Sequence, residues 1–383
     1  MGEGAAGEAS GKGMGAILQR GRWPATAVRR LAAMARERGR ARREMRLRSA
    51  GSADCGCSGA QLAWVSCMNT FIRVAEVWVP SVDGGVLELA DGWFDNAPAF
   101  GRISREMCFG RDEGLPGRAW EEGRPLLLRQ FEGSYFRRID AARAGGLSCA
   151  LALPVFLNGA LSSVLVLLCG EVQAQAGAIE LWHNDPRITS DLRLDDGIFG
   201  GDTAGTALEA LARDAFLPRG SGLPGLAWQR EQAVFMEQLD AAHFLRAQAA
   251  ADAGLVSGLA LPCAGRDPAH TWVLSLLSSP ATPIARRIEG WLPDTDGLML
   301  QRGFGFCEAR GSLPTESLPL QALGAIGRAL STGVVQVCTS PEPAGQALAG
   351  ELDAAGLRTV VAIPLVQAGA SGDLISEVVA LYF

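Results

Sequence analysis

The chain has 383 residues, 48% of them hydrophobic and 20% charged, with a formal net charge of −6. These proportions fit folded domains with real cores, and the length predicts two or three of them. Residues 1–58 hold 12 of the 35 Lys and Arg but 5 of the 41 Asp and Glu, so the head is basic (+7) and the remainder acidic (−13). An acidic body excludes a nucleic-acid platform built on the folded part.

Residues 20–48 of the head contain eleven arginines. We read residues 1–58 as a disordered, solvated extension that could contact nucleic acid or an anionic surface. A transit peptide is a further reading, which Glu3 and Glu8 oppose. No apolar secretory core is present near the N-terminus. The nine cysteines are odd in number and loosely spaced, with Cys55-Gly-Cys57 the one close pair. Such spacing specifies neither a disulfide framework nor a zinc site, and points to a reducing, cytoplasmic compartment.

The elements that follow are predicted in chain order. A lead-in helix covers 60–73. Strands cover 74–80 and 86–90, joined by a turn at Asp83-Gly84-Gly85. After a Gly- and Pro-containing loop, Gly114–Glu122 (GLPGRAWEE) forms a short helix with Pro116 in its first turn, stopped at Gly123. A strand covers 124–129 and a helix 135–144. Strands 149–157 and 160–168 close the unit as a hairpin on Asn158-Gly159. Residues 151–170 lack any charge and are long enough to imitate a membrane span. The hairpin signal in their middle predicts a buried strand pair instead, and no membrane span.

Three landmarks then repeat. GLPGRAW at Gly114–Trp120 recurs as GLPGLAW at Gly222–Trp228 and, weakly, as GAIGRAL at Gly324–Leu330. A Gly-Leu pair precedes an apolar strand ending at Pro154, Pro262 or Pro364, each 40 residues after the motif's first glycine. A tryptophan marks an upstream strand in AEVWVP (Trp78), IELWHN (Trp182) and IEGWLP (Trp291). The period is 108 and then 102 residues, which is domain-sized and far above a solenoid repeat. We therefore expect domains at 59–170, 171–279 and 280–383, the last most divergent. Consecutive hairpins with few intervening helices predict an α+β fold class, with an antiparallel sheet flanked by helices in each tandem copy.

GLPGRAW, the strand RPLLLRQ, the helix FRRIDAARAGGL and the strand CALALPVF, in that order, resemble the GAF domain signature over about 60 residues. The second copy resembles it nearly as well. The third does so mainly through the first two, with Leu330 in place of Trp120 and Trp228, and Leu348 in place of Arg138 and Arg246. The first copy is also similar to the GAF-like region of plant nitrate-response regulators. The resemblance implies a GAF/PAS-like cup, closed over one face by loops and a short helix. Members of the family bind cyclic nucleotides, bilins, haem or other small molecules, or bind nothing and dimerise.

Each such chemistry needs particular side chains. None of His183, His243 and His270 follows a cysteine, as bilin attachment would require, and they form no haem or metal cluster in the sequence. We expect no cofactor, no metal and no catalytic residue. Candidate ligand contacts are Trp120 and Arg138 in the first copy and Trp228 and Arg246 in the second. Trp offers a flat wall with one donor, and Arg a fork for carboxylate or phosphate. Each could equally be structural: Trp in the core, Arg paired with a carboxylate. The leading expectation is a non-catalytic sensory or regulatory protein in signal transduction, responding to an unidentified small molecule. Alternatives are a self-pairing or partner-binding scaffold with filled pockets, and a thiol enzyme reducing methionine sulfoxide through Cys108 and Cys149. The last predicted strand runs to Phe383, so any output is expected from a partner or from the head.

Overall fold

The computed structural model describes residues 70–170, 176–339, 345–369 and 372–383. The basic head and residues 60–69 of the lead-in helix lie outside the described residues. The described part falls within one compact unit and contains three antiparallel sheets.

The first sheet comprises β1 (Ile72–Pro80), β2 (Leu87–Trp93), β3 (Cys108–Phe109), β4 (Leu126–Leu128), β5 (Leu147–Leu157) and β6 (Ala160–Gly170). Helices α1 (Pro98–Ser104), α2 (Gly114–Glu122) and α3 (Ile139–Ala144) connect them. The second copy repeats this with β7 (Gly177–Asn184), β8 (Leu192–Phe199), β9 (Phe216–Leu217), β10 (Val234–Met236), β11 (Ser257–Cys263) and β12 (Thr271–Ser278), and with α4 (Ala207–Asp214), α5 (Gly222–Arg230) and α6 (Ala247–Asp252). The third has β13 (Arg287–Pro293), β14 (Met299–Cys307), β15 (Gly311–Ser312), β16 (Ser317–Pro319), β17 (Gln336–Cys338), β18 (Val360–Gln367) and β19 (Leu374–Tyr382). Its helices are a 3-10 turn (Leu320–Leu323), α7 (Gly324–Thr332) and α8 (Gln346–Ala354).

Strand order is β3-β2-β1-β6-β5-β4, then β10-β11-β12-β7-β8-β9, then β15-β14-β13-β19-β18-β17 with β16 beside β14. The order is the same each time, and among the described residues no strand is shared between sheets. This is a tandem array of three GAF/PAS-like α+β modules. Two local expectations change. Ile72 and Arg73 belong to strand β1 and not to a helix: Ile72 pairs with Cys169 of β6 and Val74 with Leu168, with Arg73 at an irregularity between them. The loops after β2 and β8 contain α1 and α4, which the glycines and prolines around them obscured.

Every central strand is buried on both faces. On β5, Cys149, Leu151, Leu153 and Val155 point one way, and Leu147, Ala150 and Ala152 the other. The second set meets the helices of its own module. The first set joins Leu259 and Leu261 of β11, and Ile363 and Leu365 of β18, in a single hydrophobic cluster drawn from all three sheets. Each module thus has a private outer core and a third of a common inner one. Burial on both faces is why residues 151–170 read as an unbroken apolar run.

The modules meet cyclically. β4 of the first packs beside β8 of the second. On β10, Phe235 packs 6.0 Å from Phe304 and 5.4 Å from Phe306 of β14. β17 of the third packs beside β1 and β2 of the first. So β4, β10 and β17 each lie against the second strand of the next module, and the series closes on itself, as a heterologous interface does when its rotation closes.

The short helix named by the GLPG motif takes part at every seam. It ends in a left-handed residue, Gly123 (φ 66°), Glu231 (φ 53°) or Gly333 (φ 65°). The carbonyl of that residue accepts a hydrogen bond from the next module's final hairpin. The donors are the Arg266 N–H at 2.7 Å, the Gln367 side-chain amide, and the Ser162 hydroxyl at 2.6 Å.

A second contact varies between seams. The residue before β4, β10 or β17 is Pro125, Ala233 or Val335. Ala233 N–H donates to Glu377 at 2.7 Å and Val335 N–H to Ser163 at 3.2 Å. Pro125 has no N–H to give, and Trp272 occupies the position matching Glu377 and Ser163. Neither a buried donor nor a buried acceptor is left alone there.

Candidate functional site

The cup expected from the sequence lies on the outer face of each sheet, under its helices. Its floor carries a charge that the sequence reading passed over. Glu76, Glu180 and Glu289, two residues before each landmark tryptophan, are fully buried. The indole N–H donates to the carboxylate in each copy: Trp78 to Glu76 at 3.1 Å, Trp182 to Glu180 at 3.1 Å and Trp291 to Glu289 at 3.0 Å. Alternation along the strand puts both side chains on the outer face.

In the first module Arg138, the residue that caps α3, grips Glu76 with both guanidinium nitrogens, at 2.5 and 2.9 Å. It also donates to the Ser104 hydroxyl. Aromatic rings surround it, with its guanidinium carbon 4.4 Å from the centre of Phe100, 5.4 Å from Phe136 and 5.6 Å from Trp78. In the second module Arg246 grips Glu180 at 2.6 and 2.7 Å, over Trp182 and Phe244. Bidentate charge-assisted pairs of this kind are the strong members of their class, and the planar fork fixes their geometry.

The other two candidates are placed differently. The Trp120 ring is buried in the first module's outer core, beneath the Arg111 guanidinium at 4.3 Å. Its carbonyl, with that of Glu121 at 3.0 Å, accepts from the guanidinium of Arg266 in the second module. A cation at the C-terminal carbonyls of a helix is favourably placed against the helix dipole. Trp228 is half-buried, with Arg219 over it at 5.8 Å. The structure brings neither tryptophan onto the Arg–Glu pair of its own module.

In the third module the helix arginine is replaced by Leu348. The pairing is rebuilt from the sheet side. Arg302 on β14 lies over Trp291 at 4.9 Å, with its Nε 3.1 Å from Glu289. Arg287 on β13 donates to Glu289 at 2.9 Å, and the Tyr382 hydroxyl donates to it at 2.5 Å. Burial and the neighbouring Glu289 push the Tyr382 hydroxyl well above its usual range, so it stays a donor.

The cysteines of the thiol reading are not brought together. Cys108 is exposed on the edge strand β3, and Cys149 is buried on β5, with β2, β1 and β6 between them. At normal strand spacing that is roughly 19 Å across the sheet. Cys149 instead faces Cys169 across the β5–β6 ladder. Hydrogen bonding to Cys149 and burial push the Cys169 thiol well above its usual value, which suppresses the reactive thiolate. Among the described residues, no group of three or more His, Cys, Asp or Glu is placed to hold a metal ion. None of their helices is long and apolar enough to cross a membrane.

Two histidines do meet. His183 on β7 and His270 before β12 approach to 2.8 Å between ring nitrogens, and His183 stacks on Trp272 at 4.0 Å. Burial, more than the neighbouring His270, holds His183 below its usual pKa. An 87-residue separation hid this pair, which the β7–β12 ladder assembles. Nearby, a cleft of about 280 Å³ opens between the first two modules, lined by Arg118, Arg124, Arg129, Tyr135, Asp195 and Asp196 among others. Its charges are largely paired with each other across the seam, Arg124 with Asp195 at 3.3 Å and Arg129 with Asp196.

No family model matches the chain, and no curated protein matches it. Among solved structures it is similar to the A. aeolicus nlh2 GAF domain in an inactive state, at 16% identity and a TM-score of 0.22. That likeness covers 26% of this chain and 58% of the other, so the chain spans just over half the length of that relative. It is also similar to Staphylococcus aureus NreA mutated in its nitrate binding site, at 15% identity and a TM-score of 0.23, over 29% of this chain and 80% of that one. A hypothetical S. aureus protein matches at 14% identity and a TM-score of 0.22, over 29% and 87%.

Proposed function

We propose that the chain is a non-catalytic regulatory protein of the cytoplasm that acts in signal transduction through its GAF-like cups. An effector or partner that engages one cup alters the seam with the next module. One observation carries this reading. The side chain of Trp120 belongs to the first module's outer core, while its carbonyl holds Arg266 of the second module. A change in the cup wall that shifts α2 therefore changes that seam directly. In this reading Arg138 and Arg246 are the groups an effector's carboxylate or phosphate would compete for, against Glu76 and Glu180, and Trp120 and Trp228 are the walls that respond.

Thermal melting of the full chain against a metabolite library, followed by hydrogen exchange on each hit, tests the proposal. The expected result is a compound that raises the melting temperature and also changes exchange in residues 264–270. Hits that leave this hairpin untouched would overturn the coupling.

A second reading is favoured by the caging of Arg138 and Arg246. Both guanidinium groups are already neutralised and surrounded by the chain's own rings, as in a scaffold whose pockets are filled from within. Absence of any hit supports this scaffold. A partner protein or a second copy would then dock on the outer helical faces, since the inner faces are consumed in the shared core. Contact of the basic head with nucleic acid or an anionic surface is a separable proposal. It predicts salt-sensitive binding that is lost on deleting residues 1–58.

A further inference from the structure

The third module differs from its siblings at one spot in a concerted way. Register across the ladders aligns Arg287 with Val74 and Ala178, and Tyr382 with Leu168 and Leu277. Counting along the third helix from Arg138, Arg246 and Leu348 aligns Glu351 with Ala141 and Ala249. Three apolar positions of the other modules have thus become an arginine, a tyrosine and a glutamate that converge. Arg302 already supplies the partner that Glu289 needs over Trp291. Arg287 is therefore a second, surplus guanidinium in the same interior.

Arg287 is 0% exposed and Arg302 1% exposed. They share the one buried carboxylate of Glu289, and the interior alone is left one positive charge in excess. That excess is met from the rim. Glu351 on α8 accepts from Arg287 Nη2 at 2.9 Å, with 44% of its side chain exposed. Glu316 lies 3.1 Å from Arg302 Nη2 with 38% exposed. Even so, the buried Nη1 of Arg287 has no hydrogen-bond acceptor, and Nε and Nη2 of Arg302, though close to Glu289 and Glu316, make no aligned hydrogen bond. A purely structural core would be at least as stable with the apolar residues the other two modules use.

We propose that the cup of the third module is a receptor for a small carboxylate, and that Glu351 is a tethered stand-in for it. The Glu351 carboxylate occupies one edge of the Arg287 fork from a partly solvated helix position. A free carboxylate entering from the α8 side takes that edge, pairs with Arg287 and offers its second oxygen to the orphaned N–H groups. Glu351 then turns into solvent, where its charge is better hydrated. The exchange replaces one ion pair by another, so the binding is weak in the resting chain and is strengthened by whatever removes Glu351. The site is independent of the reading given above for the first two cups.

The test uses the full chain, with isotope-labelled acetate observed by NMR against chloride at constant ionic strength. Glu351→Gln keeps the side chain's size and removes the competing charge. We expect Glu351→Gln to bind acetate saturably and about tenfold more tightly than the wild type, and to melt at a higher temperature in acetate than in equal chloride. Arg287→Val, the residue of the first module, should abolish the response. Saturable binding unchanged by Arg287→Val would overturn the assignment. Should Arg287→Val fail to fold, Glu351→Gln decides alone: equal responses to acetate and chloride, or affinity no higher than wild type, sink the proposal.

Discussion

At Arg138 and Glu76 the molecule holds a charge pair with side-chain exposures of only 1% and 0%. Neither charge has water to fall back on. Arg138→Leu should cost about 3–5 kcal/mol, because it strands the Glu76 carboxylate, whereas adding Glu76→Leu should recover much of the loss. Urea denaturation of the single and double variants measures both. Glu377 makes the opposite kind of prediction. Burial raises its carboxyl from 4.5 to about 7, and the Ala233 N–H offsets this only in part. The folded chain therefore binds its proton more tightly than the unfolded chain does. The contribution is complete below about 4.5 and is lost as pH rises towards 7. Glu377→Gln keeps an acceptor for Ala233 and should flatten that decline in melting temperature. His183 has the reverse sign. Its lowered pKa means that stability falls as pH drops below its ordinary 6.5. His183→Phe should abolish that acid loss in the same melting series.

Among the elements, the GLPG helix explains why its motif was the clearest repeat in the sequence. The first glycine enters with positive φ in every module: 59° at Gly114, 64° at Gly222 and 43° at Gly324. At the second, a β-carbon would meet a backbone carbonyl oxygen, 2.0 Å away for Gly117, 2.5 Å for Gly225 and 2.3 Å for Gly327. Both positions reject side chains for backbone reasons, which no neighbouring side chain can relieve. Gly225→Ala should destabilise by about 1–3 kcal/mol through overpacking, read by chemical denaturation. Such local constraints are legible in sequence, as were the Asn158-Gly159 hairpin and the three-sheet plan. The Arg–Glu pairs were legible only as an arginine paired with some carboxylate, although Glu stands two residues before Trp in all three landmark strands. Their partners lie 62 and 66 residues away, and only the packed helix cap chooses between a carboxylate and a ligand. Helices α1 and α4 were missed because local Pro and Gly outweighed a short apolar pattern that tertiary contact completes.

On the scale of the whole described unit, the inner core is what the repeat alone did not foretell. The repeat predicts three copies, each with its own sheet. In the structure they share one cluster that includes Leu151, Leu259 and Ile363. A chain lacking residues 280–383 would expose the inner faces of two sheets. It should bind a hydrophobic dye and self-associate, and a soluble, monomeric, cooperatively melting product would contradict the shared core. The three seams also differ chemically: ion pairs with Pro125 and Trp272 at the first, phenylalanines with Glu377 at the second, Ser163 with Val335 at the third. Distinct contacts make each of β4, β10 and β17 fit one neighbour better than the other two.

The cyclic order of contacts carries a consequence for chain connectivity. Two covalent links, 171–176 and 279–286, join modules whose third such junction is closed by contact alone. There Phe383 stacks on Trp93 at 4.4 Å, and Trp93 is paired with Ala75 near the start of β1. Joining residue 383 to residue 70 through a short flexible peptide, and cutting instead within 171–176, gives a circular permutant in which the second module is written first. It should fold to the same arrangement with a similar melting temperature, because the backbone's starting point is incidental to a closed circuit.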